Sequence, residues 1–175
     1  GAWSVVSGPS TLASQFSSLT NPTAVFTPAG GVGSYVVRWT ISNAPCAAST
    51  ANATITVTGS PTTATNSSTQ TICSTATATL SGNAPTVGTG SWSVVSGPST
   101  LASQFSSLTN PAAVFTPAGG SGSYVVRWTI SNSPCTASTA NSTITVTGSP
   151  TTATNTSTQT ICSTATATLS GSAPT

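Results

Sequence analysis

An internal repeat constrains this chain more than any motif does. The twenty residues WSVVSGPSTLASQFSSLTNP stand at positions 3–22 and return unchanged at positions 92–111. A shift of 89 residues aligns 86 pairs, and eight of these pairs differ; no difference involves an aromatic residue, a proline or a cysteine. The period is too long for a solenoid repeat and close to one small all-β domain. The repeat therefore predicts an array of near-identical modules.

Each copy carries short runs rich in Val, Ile, Thr and aromatic residues, bounded by Gly, Pro, Asn and Ser, which is the pattern of β-strands. No helical stripe is longer than one turn. In the one uninterrupted copy, the predicted strands cover residues 62–71, 74–80, 91–96, 101–105, 112–115, 123–131 and 141–147. Seven short strands within one period predict an all-β fold of tandem Ig-like or PKD-like β-sandwich modules.

If a module begins near residue 60, the chain divides into three parts. Residues 1–59 are predicted to be the C-terminal part of one sandwich, 60–148 a complete sandwich, and 149–175 the N-terminal part of the next. The two partial segments are complementary. We expect either that the chain is a window on a longer periodic protein, or that neighbouring copies complete each other's halves. Both alternatives describe a fibre, since contacts that do not close generate open filaments.

The composition excludes most chemistry. The chain has no Asp, Glu, His, Lys or Met, and its charged side chains are Arg38 and Arg127. Without carboxylates or imidazoles, we expect no enzyme activity, no catalytic residues, no cofactor and no metal site. A net charge of +2 is too weak for nucleic-acid binding. No apolar run reaches the roughly 18–20 residues of a membrane helix, so no membrane insertion is expected.

The aromatic residues recur at fixed phases of the predicted strands. Strict alternation places them on the inner faces of the strands, where they are predicted to form the core. The residues concerned are Trp3, Tyr35, Trp39, Trp92, Tyr124 and Trp128. A carbohydrate-stacking platform is the functional alternative, and core packing is favoured because the inner faces hold these rings.

The four cysteines lie in two kinds of turn. Cys46 and Cys135 precede the last predicted strand of their copies, and Cys73 and Cys162 lie between the first two. The two turns are expected at opposite ends of a sandwich, roughly 25 Å apart, beyond the about 7 Å that a disulfide tolerates. Our hypothesis is that the cysteines join successive modules. A bond within one module, with one strand misplaced, stays open as the alternative.

Four asparagines match the N-glycosylation pattern, although Ser and Thr are so frequent that chance matches are expected. They are Asn52, Asn66, Asn141 and Asn155. A surface with so little charge favours a solubilising sugar coat, so covalent glycans are expected there or O-linked on the Thr-rich first strand. Alternating Thr could also indicate an ice-binding array, but Thr is a common residue on the solvated face of a strand, and that interpretation is favoured.

Several motifs together resemble a known family. The order QTIC-x-TATATLSGNAPTVGTGSW, SGP, NP-x-AVF, GSYVVRWTISN-x-PC and TITV resembles the PKD/Ig-like repeats of large bacterial surface proteins, those of Bacteroidetes above all. The resemblance covers both copies and is most specific at 90–92 and 124–135. It implies a secreted, multi-domain extracellular protein. Family members often carry acidic pairs before the last strand, where this chain has Ala51-Asn52 and Ala140-Asn141, so no calcium role is carried over.

These patterns lead to a functional expectation. The sequence predicts a structural extracellular protein, a repeat unit of a cell-surface filament or stalk, whose partners are neighbouring copies of the same chain. Near-identity of the copies favours geometric regularity, which a single binding site does not need. The alternative is a set of spacer modules in a large adhesin whose binding domain lies outside this sequence.

Overall fold

The computed structural model describes residues 1–174, which form nine strands and two short 3-10 helices. The strands are β1 Ala2–Ser7, β2 Gly33–Ile41, β3 Ser49–Val57, β4 Gln70–Cys73, β5 Ala78–Thr79, β6 Thr89–Ser96, β7 Val114–Phe115, β8 Gly122–Asn132 and β9 Cys135–Thr147. The 3-10 helices are Ala13–Gln15 and Ala102–Gln104. The predicted all-β class is confirmed.

The uninterrupted copy folds into two layers. One layer is a four-stranded sheet with the order β4-β9-β8-β6, in which β4 runs parallel to β9. The other contains the antiparallel pair β5-β7, and an Asn66–Gly82 bridge joins the segment before β4 to the end of the β5 segment. A first strand that begins in one layer and then pairs with the last strand of the other is an Ig-like arrangement. The predicted Ig-like sandwich is confirmed.

The core of this copy lies between the two layers. Side chains from both layers are fully or almost fully buried because alternate residues of each strand point inward. They include Leu80, Trp92, Phe115, Tyr124, Val126, Trp128, Ile144 and Val146. The Tyr124 hydroxyl accepts a hydrogen bond from the Gly119 N–H (3.0 Å) and donates one to the Gly120 carbonyl (3.0 Å). These bonds form the tyrosine corner that fixes the start of a central Ig strand.

The first copy supplies a three-stranded antiparallel sheet with the order β1-β2-β3. Its register pairs Trp3 with Trp39 and Tyr35 with Ile55. The Tyr35 hydroxyl repeats the tyrosine corner by donating to the Gly31 carbonyl at 3.1 Å. The repeated sequence thus produces the same local structure in both copies.

The chain divides into two compact units that do not follow the repeat strictly. The first unit contains residues 1–63, 85–89 and 130–138, and the second contains 64–84, 90–129 and 139 onward. The first unit therefore holds the first copy together with two turns of the second copy. The predicted boundaries 1–59, 60–148 and 149–175 stay predictions.

Five predicted strands differ from the structure in presence or in extent. The segment 101–105 is not a strand but contains the 3-10 helix Ala102–Gln104. The buried side-chain amide of Gln104 causes this difference, because it donates to the carbonyls of Ser99 and Leu101 (both 3.1 Å) and holds the backbone in a turn. The predicted strands 62–71, 74–80 and 112–115 are present only as the shorter β4, β5 and β7. The strand predicted over 141–147 is longer, since β9 begins at Cys135.

Candidate functional site

Residues 1–174 contain no detected pocket and no group of three or more His, Cys, Asp or Glu that could hold a metal ion. No helix in this described part is long and apolar enough to cross a membrane. The features that bear on function are instead the faces of the sheets and the turns at the ends of the modules.

The covered face of the complete copy is organised around Trp128. Its indole N–H donates to the Asn83 carbonyl at 3.0 Å, and its ring lies 4.8 Å from the ring of Trp92. Added Cβ atoms at Gly82 and Gly90 would lie 3.1 and 2.0 Å from the Trp128 ring. The segment that contains Gly82 and Asn83 therefore seals this end of the core.

The equivalent face of the first copy is only partly covered. Trp39, the copy of Trp128, is half-buried, and among the described residues its indole N–H has no acceptor. Ile41 is 54% exposed, whereas its copy Ile130 is 0% exposed. The sheet β1-β2-β3 consequently presents an apolar face that its equivalent in the complete copy does not.

The segment that follows β3 is held by two turns within the first compact unit. The Asn132 side-chain amide donates to the Gly59 carbonyl at 2.8 Å, and the Thr62 N–H donates to the Val87 carbonyl at 3.0 Å. The Thr58 hydroxyl lies 3.5 Å from the Cys135 sulfur. Side-chain and backbone contacts thus hold the segment after β3 within this unit.

The four cysteine thiols are free in the structure. The turn positions predicted for Cys73 and Cys135 are wrong, because β4 and β9 extend further than expected. Cys73 is the last residue of β4 and lies opposite Thr147, the last residue of β9, whereas Cys135 is the first residue of β9. Cys46, Cys73 and Cys162 are exposed, and Cys135 is half-buried. The proposed pairing between modules stays a prediction.

The four glycosylation candidates fall into two environments. Asn52 and Asn141 are exposed on β3 and β9, where their side-chain oxygens accept from Arg38 (2.8 Å) and Arg127 (2.9 Å). Asn66 is half-buried, and its side-chain nitrogen, the atom that a glycan would occupy, donates to the Val126 carbonyl at 3.2 Å.

Asn155, the copy of Asn66, is exposed, and its side-chain oxygen accepts from the Ser157 N–H at 2.9 Å. The geometry therefore disfavours Asn66 and leaves Asn52, Asn141 and Asn155 as accessible attachment sites. Glycosylation itself stays a prediction.

Sequence reasoning missed the structural role of Asn66. Besides donating to Val126, the side-chain nitrogen of Asn66 contacts the Ala140 carbonyl at 3.5 Å. The backbone carbonyl of Asn66 accepts from the Ser142 hydroxyl at 2.8 Å. These bonds attach the first strand segment to β8 and β9. The available signal was an Asn in the middle of a Thr-rich strand, since an Asn side chain commonly bonds to neighbouring backbone and interrupts the ladder; here the Asn66 side-chain oxygen accepts from the Ser68 N–H at 3.1 Å.

Comparison with known proteins adds little beyond the fold. No family model matches the chain, and no curated protein matches it. The resemblance to bacterial PKD-type repeats therefore stays a prediction.

Solved structures that align with the chain include murine CEACAM1b, with 16% identity over 85% of each chain and a TM-score of 0.44. The N-terminal four Ig domains of Dscam1 isoform 4.4 align at 13% identity over 85% of this chain and 36% of that one, with a TM-score of 0.38. Titin domains Z1Z2, in complex with telethonin, align at 16% identity over 85% and 81%, with a TM-score of 0.33. At such scores, the Ig-like assignment depends on strand pairing.

Proposed function

We propose that this chain is a structural component of an extracellular filament or stalk, built from tandem β-sandwiches that associate with neighbouring copies of the chain. The proposal gives the protein no role in chemical catalysis. Its task is to maintain a regular, extended assembly.

The parallel pairing of β4 with β9 carries the proposal. The first and last strands of the module run in the same direction, so the chain enters the module at one end and leaves it at the other. A module of this topology is suited to head-to-tail repetition. Two bonds within the first compact unit, Asn132 to Gly59 and Thr62 to Val87, support an ordered segment between β3 and β4.

The surface of the chain supports an extracellular, glycosylated form of this assembly. With two charged side chains in 175 residues, the surface has little electrostatic protection against association. Glycans on Asn52 and Asn141 would cover exposed strand faces without disturbing the core. Intact-mass analysis of native material tests this, because an unmodified mass of 17.0 kDa for this segment contradicts glycosylation.

Electron microscopy of the purified native protein tests the filament. The expected result is a regular fibre composed of this chain alone, with an axial repeat set by one or two modules. A discrete rod that ends in a separate head domain would instead support the adhesin-spacer alternative. Isolated particles that form no rods or fibres at any concentration would contradict both.

A further inference from the structure

Two copies of one sequence segment lie in opposite environments. Residues 64–84 cover the core of the complete module, and Leu80 there is 1% exposed. Residues 153–173 repeat that segment with two differences, and Leu169, the copy of Leu80, is 78% exposed. The same apolar residue is therefore buried in one copy and in solvent in the other.

The exposed copy repeats some local bonds of the buried one, although its described residues form no counterpart of β4 or β5. An Asn155–Gly171 bridge repeats the Asn66–Gly82 bridge. The Ser170 N–H donates to the Ser157 hydroxyl at 2.6 Å, as Ser81 does to Ser68 at 2.7 Å. These local bonds are thus already formed before docking, which lowers the entropic cost of association.

The sheet β1-β2-β3 carries the matching uncovered face. In the complete module the equivalent face is covered by residues 64–84, whose Asn83 carbonyl accepts the indole N–H of Trp128. In the first copy Trp39 is half-buried and Ile41 is exposed. The interface inside the complete module is therefore a template for what this face binds.

We propose that residues 149–174 of one copy of this chain complete the β-sandwich of residues 1–57 of a second copy, and that Cys162 of the first copy then forms a disulfide with Cys135 of the second. This inference rests on the proposed head-to-tail assembly and names the segment that joins its subunits. Because the chain enters and leaves the complete module at opposite ends, a second copy is favoured as the donor over the same chain.

Two observations place both Cys162 of the first copy and Cys135 of the second copy next to Thr58 of the second copy. In the complete module, Cys73 lies opposite Thr147, whose hydroxyl donates to the Ile72 carbonyl at 3.2 Å. Docking in the same register places Cys162, the copy of Cys73, opposite Thr58, the copy of Thr147. Thr58 already lies 3.5 Å from the Cys135 sulfur. The two thiols therefore meet beside Thr58. The 89-residue repeat gives a second pair in the same way: Cys46 of the second copy meets Cys73 of the first copy beside Thr147 of the first copy.

The bond requires an oxidant, and a low-molecular-weight disulfide such as oxidised glutathione supplies it. The Cys135 thiolate attacks one glutathione sulfur, forms a mixed disulfide and releases one reduced glutathione. The Cys162 thiolate then displaces the second glutathione as the Cys135–Cys162 bond forms. The two cysteine thiols lose two electrons and two protons in total, and one glutathione disulfide becomes two glutathione thiols.

Mixing two single-cysteine chains tests the bond. Both chains carry Cys46→Ser and Cys73→Ser; one also carries Cys135→Ser and the other, labelled with nitrogen-15, carries Cys162→Ser. In a glutathione redox buffer, we expect a labelled–unlabelled heterodimer linked through Cys135 and Cys162 to dominate over either homodimer. Homodimers in statistical or greater amount would overturn the proposal. In the chain that retains both cysteines, a monomeric product with an internal Cys135–Cys162 bond would overturn the choice of a second copy.

A matched pair of substitutions tests the docking without cysteine chemistry. Leu169→Asp puts a charge where the template buries Leu80, whereas Thr168→Asp puts the same charge at the copy of Thr79, which stays exposed in the complete module. Sedimentation velocity should show loss of association for Leu169→Asp and normal association for Thr168→Asp. Equal association of the two variants would contradict strand docking.

The outcomes separate this inference from the proposed function. If the Leu169→Asp chain forms normal fibres that contain no Cys135–Cys162 bond, the filament proposal stands and the strand-completion proposal fails. If the Cys135–Cys162 heterodimer forms but fibres appear under no condition, the strand-completion proposal stands and the filament proposal fails.

Discussion

The complete copy and the first copy have almost the same sequence but different cores. Trp128 is fully buried and its indole N–H is bonded, whereas its copy Trp39 is half-buried. Tyr35 and Tyr124, which lie further from the module end, are fully buried in both copies. The difference shows that each sheet organises its own tyrosine corner, while burial of the tryptophan depends on the segment that holds Gly82 and Asn83.

The largest effect on stability should come from replacing Trp128 and Trp39, each in a variant of its own. Trp128→Ala leaves a cavity in a closed core and should lower the free energy of unfolding of its module by about 3–5 kcal/mol. Trp39→Ala should cost about half as much or less in the unassembled chain, because Trp39 buries less surface. Hydrogen exchange followed by peptide mass spectrometry measures each module separately. Equal losses in the two modules would contradict the comparison.

A smaller effect should come from filling the space beside Trp128. A Cβ at Gly90 would lie 2.0 Å from the indole ring, so Gly90→Ala should destabilise the module by about 1–3 kcal/mol through overpacking. Gly148 is the control, because a Cβ there meets no atom within 4 Å. Urea denaturation followed by near-ultraviolet circular dichroism should separate the two variants. A Gly90→Ala chain as stable as Gly148→Ala would mean that Trp128 can move aside.

The smallest effect should come from the asparagine that attaches the first strand segment. Asn66→Ala removes a donor to the Val126 carbonyl and should cost about 1–2 kcal/mol. Asn155→Ala, at the exposed copy, should leave the unassembled chain unchanged within about 0.5 kcal/mol. Thermal unfolding of the two variants provides the measurement. A loss for Asn155→Ala equal to that for Asn66→Ala would show that the copies do not differ in environment.

Much of the fold could be predicted from the alternation of apolar and polar residues along the chain. Alternation in SYVVRWTIS predicted residues 123–131 as a strand with Tyr124, Val126 and Trp128 on one face, and β8 has that course. The segment 101–105 could not be assigned in this way, because its conformation depends on the buried Gln104 amide. The Gln104 side-chain oxygen also accepts from the Ala118 N–H at 2.9 Å, and Ala118 lies 14 residues further along the chain, outside the segment. Propensity does not report such bonds.

The candidate site was only partly predictable. The cysteines and glycosylation candidates could be named from sequence, but not which of them share an environment. Asn52 and Asn66 match the same three-residue pattern, yet Asn66 uses its side-chain nitrogen in a bond to the backbone of β8. The parallel pairing of β4 with β9, which sets Cys73 opposite Thr147, joins segments more than seventy residues apart.

The sequence by itself determined the period, the all-β class, the absence of carboxylate, imidazole and lysine side chains and the alternating inner faces, because these depend on residue type and spacing along the chain. Tertiary structure alone decided which inner faces are covered. Leu80 and Leu169 have the same neighbours in sequence, but one is buried and the other exposed. Burial is decided by the surface that packs against a residue, and that surface comes from elsewhere in the chain or from another copy.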